Sequence, residues 1–285
     1  MNRIIAGTMT WGSWGKKFST NEIADYINQC IDLGVYTFDH ADIYGGYTTE
    51  TDFGKGLQKT SIARDKMFHI SKCGIQYPCA ERALSVKHYN YSKQHIIQSA
   101  EQSIKNLNID YLDLLLLHRP SPLMDVSVIS DAFSSLEKDG KVRAFGVSNF
   151  TSSQMELLNK EVTIQWNQVE CSLSESRVMF DGTLDYHNSN NIGTMAWSPL
   201  GDYFKEENQA NEIVKPILKS IAEKYKVTPD QILLAWLMTH PANIHPVVGT
   251  TNIKRMESSL HAENIRLSHE EWFLLLEAQW GHKVP

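Results

Sequence analysis

Ionisable side chains recur in this sequence near the ends of short apolar segments. Asp39, Lys72 and His118 each stand within two residues of the end of such a segment. Carboxylate, ammonium and imidazole groups accept and donate protons in active sites, so these side chains could perform acid–base chemistry if the fold brought them together. Further residues take the same kind of position later in the chain: Ser148, Asn149, Gln168, Trp197, Gly249, Thr250 and Thr251.

The apolar segments alternate with amphipathic ones along the chain. Residues 112–117 are continuously apolar, which is typical of a parallel strand covered on both faces. A helix is predicted from Ser19, which forms a capping box with Glu22, to Gly34. The predicted strands are 3–7, 35–38, 67–70, 111–117, 142–147, 162–169, 192–196 and 245–248. Further helices are predicted over 92–107, 125–140, 182–188 and 212–224, shortly before residue 162, and from residues 228, 252 and 268.

Eight strand–helix units in 285 residues correspond to roughly 36 residues per unit, close to the size of a TIM barrel. The sequence therefore predicts a single α/β domain, residues 1–285, folded as a (β/α)8 TIM barrel. The active site of such a barrel lies at the C-terminal ends of the strands, where the side chains above would converge. A Rossmann fold is not indicated, because Gly7, Gly12 and Gly15 lack the G-x-G-x-x-G spacing.

The composition excludes several classes of protein. Hydrophobic residues make up 42% and charged residues 21% of the chain, as expected of a folded core rather than a disordered protein. A net charge of −6 favours neither nucleic acid nor an anionic membrane as a partner. The longest apolar run, 232–238, is too short to span a membrane. Four cysteines without a C-x-x-C pair favour a reducing compartment, so a soluble cytoplasmic protein is expected.

The segment 38–45, Phe-Asp-His-Ala-Asp-Ile-Tyr-Gly, resembles the Asp…Tyr-Gly signature of the aldo-keto reductase superfamily. Other motifs match in the same order: 71–72, 110–118, 140–143 leading into 146–150, 167–170, 197–201 and 248–252. The resemblance covers nearly the whole chain. Within the superfamily it is strongest to the bacterial YdhF-like branch, on residues 39–47, 118–120 and 284–285.

The resemblance implies an NADP-dependent enzyme that reduces aldehyde or ketone carbonyls to alcohols by hydride transfer. Its catalytic tetrad falls on Asp39, Tyr44, Lys72 and His118. Tyr44 would donate the proton, and a nearby Lys72 ammonium would lower the pKa of this phenol. Asp39 would hold Lys72 in place and keep it charged. His118 would orient and polarise the carbonyl oxygen.

The resemblance also implies residues that bind NADPH. Ser148, Asn149 and Gln168 would contact the nicotinamide carboxamide, and the Trp197 ring would stack on the nicotinamide. The loop over the pyrophosphate would contain Ser198, Leu200 and Gly201. The 2′-phosphate would be bound at a helix N-terminus by Gly249, Thr250, Thr251 and Arg255. Because other family members have a basic residue where Gly249 stands, the preference for NADPH over NADH depends mainly on Arg255.

No metal site is predicted, because His40 and Asp42 have no further ligands at suitable spacing. Candidates for the walls of a pocket for a small carbonyl substrate are Trp11, Tyr47, Tyr77 and Arg119. Trp14 is a further candidate, but loop packing is favoured for it. The chain after the last predicted helix is short, which favours an open site and broad substrate tolerance. A monomer is favoured, and a weak homodimer is an alternative.

Two other functions stay open on the sequence alone. Some relatives within the superfamily are regulatory subunits that bind NADPH and turn over slowly. A different TIM-barrel enzyme, such as a hydrolase, would need paired carboxylates at strand ends, and Asp39 with Glu170 is the pair that the sequence offers. The complete tetrad favours the reductase over the regulatory subunit, and the cofactor motifs favour it over the hydrolase.

Overall fold

A closed barrel of eight parallel strands forms the centre of the computed structural model, which describes residues 1–80, 82–204 and 209–285. The order around the barrel is β1-β10-β9-β8-β7-β6-β3-β2, while β4 and β5 form a separate antiparallel hairpin. This confirms the predicted fold class. The strands are β1 (Ile5–Gly7), β2 (Thr37–Asp39), β3 (Phe68–Cys73), β4 (Ile75–Gln76), β5 (His88–Tyr89), β6 (Leu114–Leu117), β7 (Phe145–Ser148), β8 (Trp166–Glu170), β9 (Gly193–Trp197) and β10 (His245–Val248).

The α-helices lie outside the barrel and cover its strands. They are α1 (Thr20–Asp32), α2 (Thr49–Leu57), α3 (Lys93–Leu107), α4 (Val126–Lys138), α5 (Ser152–Leu158), α6 (Thr183–Ser189), α7 (Gln209–Tyr225), α8 (Pro229–Thr239), α9 (Ile253–His261) and α10 (His269–Trp280). The predicted capping box of Ser19 and Glu22 is formed at the start of α1. Among the described helices, none is both long enough and apolar enough to cross a membrane.

Apolar side chains fill the barrel interior and keep its strands in register. The interior cluster contains Ile5, Ile70, Leu114, Leu116, Met195 and Val247. A second layer of apolar side chains packs between the strands and the helices. Because alternate residues of each strand point into the barrel and toward the helices, both faces are apolar. This explains the continuous apolar runs that the sequence shows.

The predicted strands have the right number and order, but several bounds differ. The strand predicted over 111–117 begins at Leu114, because Leu112 forms only an isolated bridge with Val142. The strand predicted to end at residue 70 continues through Lys72 to Cys73, pairing with β6 along that length. A catalytic candidate therefore lies within a strand rather than after one, where its backbone is fixed by two neighbours.

Helix α2 and the β4–β5 hairpin are two elements that the sequence analysis missed. Helix α2 contains Gly54 and Gly56, and glycine disfavours helix on propensity alone. The two glycines let α2 pack closely between its neighbours: a Cβ on Gly56 would collide with Ile23 of α1, and one on Gly54 with the Asn106 carbonyl near the end of α3. Tertiary packing thus stabilises a helix that local sequence does not predict.

Gly54→Ala tests this packing. A methyl group would favour the helix by about 1 kcal/mol, but overpacking against backbone commonly costs about 1–3 kcal/mol. Since the Asn106 carbonyl cannot move without displacing α3, we expect the overpacking cost to dominate and the free energy of unfolding to fall. Urea denaturation measures this. Lys55→Ala, on the exposed side of α2, is the control; equal unfolding free energies for the two variants would contradict the packing argument.

Candidate active site

The Lys72 ammonium lies at the centre of a cluster formed by three neighbouring elements. Its Nζ donates hydrogen bonds to Asp39 Oδ2 at 2.7 Å, to the His40 carbonyl oxygen at 2.8 Å and to the Tyr44 hydroxyl oxygen at 3.0 Å. Asp39 ends β2, Lys72 lies on β3, and Tyr44 comes from the turn after β2. An ammonium has three protons and no lone pair. All three are used, and the Tyr44 hydroxyl keeps its own proton for another acceptor.

Burial and charge pairing act in opposite directions on Lys72. The residue is 1% exposed, and burial alone would lower its pKa, but the Asp39 carboxylate raises the pKa above its ordinary value. The ammonium therefore keeps its charge at neutral pH. The other oxygen of the carboxylate, Asp39 Oδ1, accepts a hydrogen bond from Gln168 Nε2 at 2.9 Å across the barrel. This positioning contact was not foreseen, since Gln168 was considered only as a cofactor ligand.

The pKa of Tyr44 differs in direction from the sequence-based expectation. Burial raises it above the ordinary phenol value, and the Lys72 ammonium is the largest of the effects that oppose this rise. The expected effect of Lys72 is present, but desolvation of the phenolate outweighs it. Sequence reasoning considered the neighbouring charge and not the burial. The consequence is that Tyr44 holds its proton at neutral pH, as a proton donor must.

His118 lies beside Tyr44, with the two ring centroids 6.1 Å apart and the rings nearly perpendicular. Its backbone N–H donates to the Cys73 carbonyl at 2.9 Å. Burial, followed by the charges of Lys72 and Arg119, holds the pKa of the imidazole well below its ordinary value. A neutral imidazole has one N–H donor and one acceptor nitrogen. No described group forms a hydrogen bond with the buried Nδ1, so the ring has unused hydrogen-bonding capacity.

Four of the residues predicted to bind the nicotinamide are joined in one hydrogen-bonded chain across the ends of β7, β8 and β9. Trp197 Nε1 donates to Asn149 Oδ1 at 3.0 Å, Asn149 Nδ2 donates to Ser148 Oγ at 2.8 Å, and Ser148 Oγ donates to the Gln168 carbonyl at 2.9 Å. Asn149 adopts φ +60°, a left-handed conformation that asparagine tolerates. The chain holds the half-exposed Trp197 ring by its edge, and the face of a planar indole can stack on another ring.

The loop that follows Trp197 turns sharply. Ser198 has φ +51° and Gly201 has φ +57°. Leu200 is half-buried and packs on the apolar layers below. A Cβ on Gly201 would collide with Ser174, so this turn lies close to the segment after β8. The three residues predicted to cover a pyrophosphate therefore lie at the same end of the barrel as the tetrad.

The loop after β10 leads into α9. The Gly249 carbonyl accepts a hydrogen bond from Thr10 Oγ1 at 3.0 Å, and the Thr250 carbonyl accepts one from the Tyr26 hydroxyl at 3.0 Å. These bonds fix the half-exposed Thr251 and the start of the helix beside β1. A Cβ added to Gly249 would meet no atom within 4 Å, so there is open space here. Arg255 is exposed in the first turn of α9.

The prediction that Trp11 lines the substrate pocket is wrong. Trp11 is 1% exposed, and its ring packs against Tyr26 and Phe53 beneath the site, with centroids 5.0 and 5.7 Å away. Trp14, for which the sequence analysis favoured loop packing, instead lies at the barrel mouth. Trp14 is 42% exposed, and its ring centroid lies 6.3 Å from that of Tyr44 and 5.9 Å from that of Tyr77. Trp11 and Trp14 are three residues apart in the sequence, and the course of the loop decides which of them is buried and which is exposed.

Tyr47 and Tyr77 join the loop after β2 to the unforeseen hairpin. The Tyr47 hydroxyl donates to the Ile75 carbonyl at 3.1 Å and accepts from the Tyr77 N–H at 2.9 Å. Tyr47 has φ +73°, a conformation that a bulky residue adopts only when its surroundings hold it. The Arg82 guanidinium lies 3.7 Å from the centre of its ring. These residues form one wall of the barrel mouth beside Tyr44.

The fourth predicted pocket residue, Arg119, directly follows His118. Its guanidinium lies 5.4 Å from the centre of the Trp197 ring. The tetrad, the hydrogen-bonded series from Trp197 to Gln168 and Arg119 thus meet at one end of the barrel. Over residues 1–80, 82–204 and 209–285 there is no group of three or more His, Cys, Asp or Glu side chains that could hold a metal ion.

Comparison with known proteins agrees with this arrangement. The Aldo/keto reductase family model matches residues 3–278. The chain is 41% identical to the oxidoreductase YcsN of Bacillus subtilis and 38% identical to the oxidoreductase YdhF of Escherichia coli, covering all of this chain and 96% and 95% of those proteins. It is 35% identical to the 6-dehydroglucose reductase of Agrobacterium fabrum, covering all of this chain and 96% of that protein.

Solved structures show the same fold. The thermostable aldo-keto reductase Tm1743, crystallised with epalrestat, superposes with a TM-score of 0.82 at 26% identity, covering 98% of this chain and 95% of that one. The Bombyx mori aldo-keto reductase in complex with NADP has a TM-score of 0.78 at 21% identity, covering 99% and 91%. The barrel and its polar mouth are those of an oxidoreductase. The chain belongs to the aldo/keto reductase family.

Lys72→Met tests the electrostatic balance at Tyr44. The variant removes the positive charge that opposes the effect of burial, so the pKa of Tyr44 should rise further. In the unsubstituted protein we expect the pKa of Tyr44 to lie above the ordinary phenol value, because burial disfavours the phenolate. Titration of the Cζ resonance of ¹³C-labelled tyrosine measures this, with Tyr44 assigned by its loss in Tyr44→Phe. Lys55→Met is the charge control, and a lower pKa of Tyr44 in Lys72→Met would contradict the argument.

Proposed function

We propose that this protein reduces an aldehyde or ketone carbonyl to an alcohol with NADPH, and that Tyr44 is the proton donor. The observation on which the proposal rests is the hydrogen bond from the buried Lys72 ammonium to the Tyr44 hydroxyl oxygen. This bond fixes the phenol beside His118 and leaves the hydroxyl proton free to point to another acceptor. Family membership supplies the reaction class.

Each member of the tetrad has a distinct part in the proposed reaction. NADPH, when bound, supplies the hydride. Tyr44 transfers its proton to the carbonyl oxygen, and Lys72 stabilises the phenolate that this transfer leaves. The neutral His118 ring donates a hydrogen bond to the same oxygen as negative charge develops there. Asp39 keeps Lys72 charged and is a positioning residue, because it contacts Lys72 and Gln168 rather than the substrate.

The residues at the barrel mouth suit a nicotinamide dinucleotide. The half-exposed Trp197 ring, fixed at its edge by Asn149, offers a flat surface for the nicotinamide. The open space at Gly249 and the N-terminus of α9 suit a phosphate, because the positive end of the helix dipole attracts anions. Arg255 in the first turn of α9 is the cation that we expect to distinguish NADPH from NADH.

Relatives indicate a polar substrate of modest size. Two of them, from Agrobacterium fabrum and Novosphingobium aromaticivorans, are 6-dehydroglucose reductases, and another, from Yersinia pestis, is the methylglyoxal reductase DkgB. The mouth of this barrel combines aromatic rings at Trp14 and Tyr77 with the cationic Arg119. We therefore propose a small, oxygen-rich aldehyde or ketone as the substrate class. A panel of aldehydes, ketones, quinones and sugars, followed by NADPH oxidation, tests this.

We further propose that residues 1–285 act as one domain, in the cytoplasm, and as a monomer. The barrel strands span residues 5–248 and close on one another, which supports one domain. All four cysteines are free thiols, as is usual in a reducing compartment. Size-exclusion chromatography with light scattering tests the oligomeric state.

Tyr44→Phe tests the proton donor. Loss of a general acid typically lowers the rate by about 10²- to 10⁴-fold, so kcat for carbonyl reduction should fall by that amount. NADPH binding, measured by quenching of tryptophan fluorescence, should stay close to that of the unsubstituted protein. Tyr36→Phe, at the opposite end of the barrel, is the matched control. Near-normal kcat in Tyr44→Phe would exclude the mechanism, and slow turnover in the unsubstituted protein would favour the regulatory alternative.

Arg255→Met tests the choice of cofactor. A hydrogen bond to a charged group contributes about 1.5–3 kcal/mol, so the KM for NADPH should rise by about 10- to 100-fold. The KM for NADH should change little, because NADH lacks the 2′-phosphate. Steady-state kinetics with both cofactors measure the effect. Arg143→Met, which removes the same charge just before β7 at the other end of the barrel, is the control. Equal effects on the two cofactors would disprove the assignment.

A further inference from the structure

Arg119 is held firmly at the mouth of the barrel. The Tyr91 hydroxyl accepts a hydrogen bond from the Arg119 N–H at 3.1 Å and donates one to the Arg119 carbonyl at 2.5 Å. Tyr91 itself is 7% exposed. One buried hydroxyl thus satisfies both backbone groups of Arg119, and the Pro120 ring restricts the backbone of Arg119, the residue before it. The direction in which the side chain leaves the backbone is therefore fixed.

The guanidinium of Arg119 extends from the end of β6 toward the end of β9, where it faces the Trp197 ring at 5.4 Å. The side chain is half-buried. Within the described part of the chain, no carboxylate lies within 4.0 Å of it. An arginine stays charged at every physiological pH. Cations in such half-buried positions usually pair with an anion, and Arg119 directly follows His118 at the end of β6.

Other cations lie in the surroundings of Arg119, although the protein as a whole has a net charge of −6. The hairpin on the same wall contributes Arg82, whose guanidinium covers the Tyr47 ring. Arg119 and Lys87 both contribute to the low pKa of the His118 imidazole. The nearest catalytic carboxylate, that of Asp39, is already paired with Lys72. A site with this balance attracts an anion more strongly than a neutral molecule of the same shape.

We propose that Arg119 makes this site selective for carbonyl substrates that carry a carboxylate, which the guanidinium binds while Tyr44 and His118 hold the carbonyl oxygen. Planar guanidinium and carboxylate groups pair through two parallel hydrogen bonds. The substrate class is thus a short aldehyde or keto acid, and the product is the corresponding hydroxy acid. The assignment deepens the proposed carbonyl reduction and depends on it.

Matched pairs of substrates separate the charge from the rest of the molecule. We would compare succinic semialdehyde with its methyl ester, and D-glucuronate with D-glucose, using saturating NADPH and the full-length protein. The variants are Arg119→Met, which removes the charge, and Arg119→Lys, which retains it. Arg143→Met controls for the loss of one positive charge from the whole protein.

The unsubstituted protein should prefer the carboxylate member of each pair, mainly through a lower KM. In Arg119→Met the ratio of kcat/KM for acid over neutral partner should fall by about 10- to 100-fold, the usual effect of losing a charge-assisted hydrogen bond. Arg119→Lys should restore part of the ratio, and Arg143→Met should leave it unchanged. The NADPH dissociation constant, measured on the same variants, should show that the effect arises at the substrate.

Two results would overturn the assignment. One is an acid-to-neutral ratio that Arg119→Met does not change. The other is an equal loss for D-glucose and D-glucuronate, which would assign the guanidinium to sugar hydroxyls instead. If the unsubstituted protein reduces the neutral partners but shows no preference for the acids, the substrate class is wrong while the carbonyl reductase function stands. If it reduces neither acids nor neutral carbonyls, the proposed function itself fails.

Discussion

The arrangement of the active site depends on one buried ammonium group. Lys72 can be charged inside the barrel only because Asp39, the His40 carbonyl and the Tyr44 hydroxyl accept hydrogen bonds from all three of its N–H groups. An unpaired charge in that position would be strongly destabilising. The three acceptors come from the end of β2 and the turn that follows it, while Lys72 lies on β3. The parallel register of these strands, with Asp39 opposite Ile70, therefore determines which side chains the ammonium can reach.

The site contains two regions that differ in how their charged groups are paired. Around Lys72 the polar groups satisfy one another: pairing with Asp39 keeps Lys72 charged, and burial keeps Tyr44 protonated. At the mouth, Arg119 and Arg82 lie over aromatic rings rather than beside carboxylates. The inner groups are fixed by strands, whereas the outer ones belong to loops and the β4–β5 hairpin. A barrel organised in this way can change its preference for a substrate through loop residues without disturbing the buried groups around Lys72 and Tyr44.

Much of this could be predicted from the sequence, because strand ends in a barrel converge and chemically active residues recur there. The eight strands are confirmed in number and order, and the structure brings the four tetrad candidates and the Ser148–Trp197 group together at the C-terminal ends of the strands. Features that depend on three-dimensional context were missed. Helix α2 is stabilised by neighbours and not by propensity, two-residue strands such as β4 have no detectable period, and the exposure of Trp14 against the burial of Trp11 depends on the course of a loop. The pKa of Tyr44 required the degree of burial, which no sequence pattern reports.

The hydrogen bond between Gln168 and Asp39 joins residues 129 positions apart in the chain. The partner that fixes the Asp39 carboxylate thus comes from the second half of the barrel, although Asp39, Tyr44 and Lys72 all lie within the first 72 residues. Contacts of such long sequence separation form late in folding, since closing a long loop costs entropy before it yields an interaction. A half-barrel would contain Tyr44 and Lys72 without the contact that fixes the Asp39 carboxylate. The complete arrangement of polar groups around Lys72 is therefore a property of ring closure, because it needs a strand from the later part of the barrel.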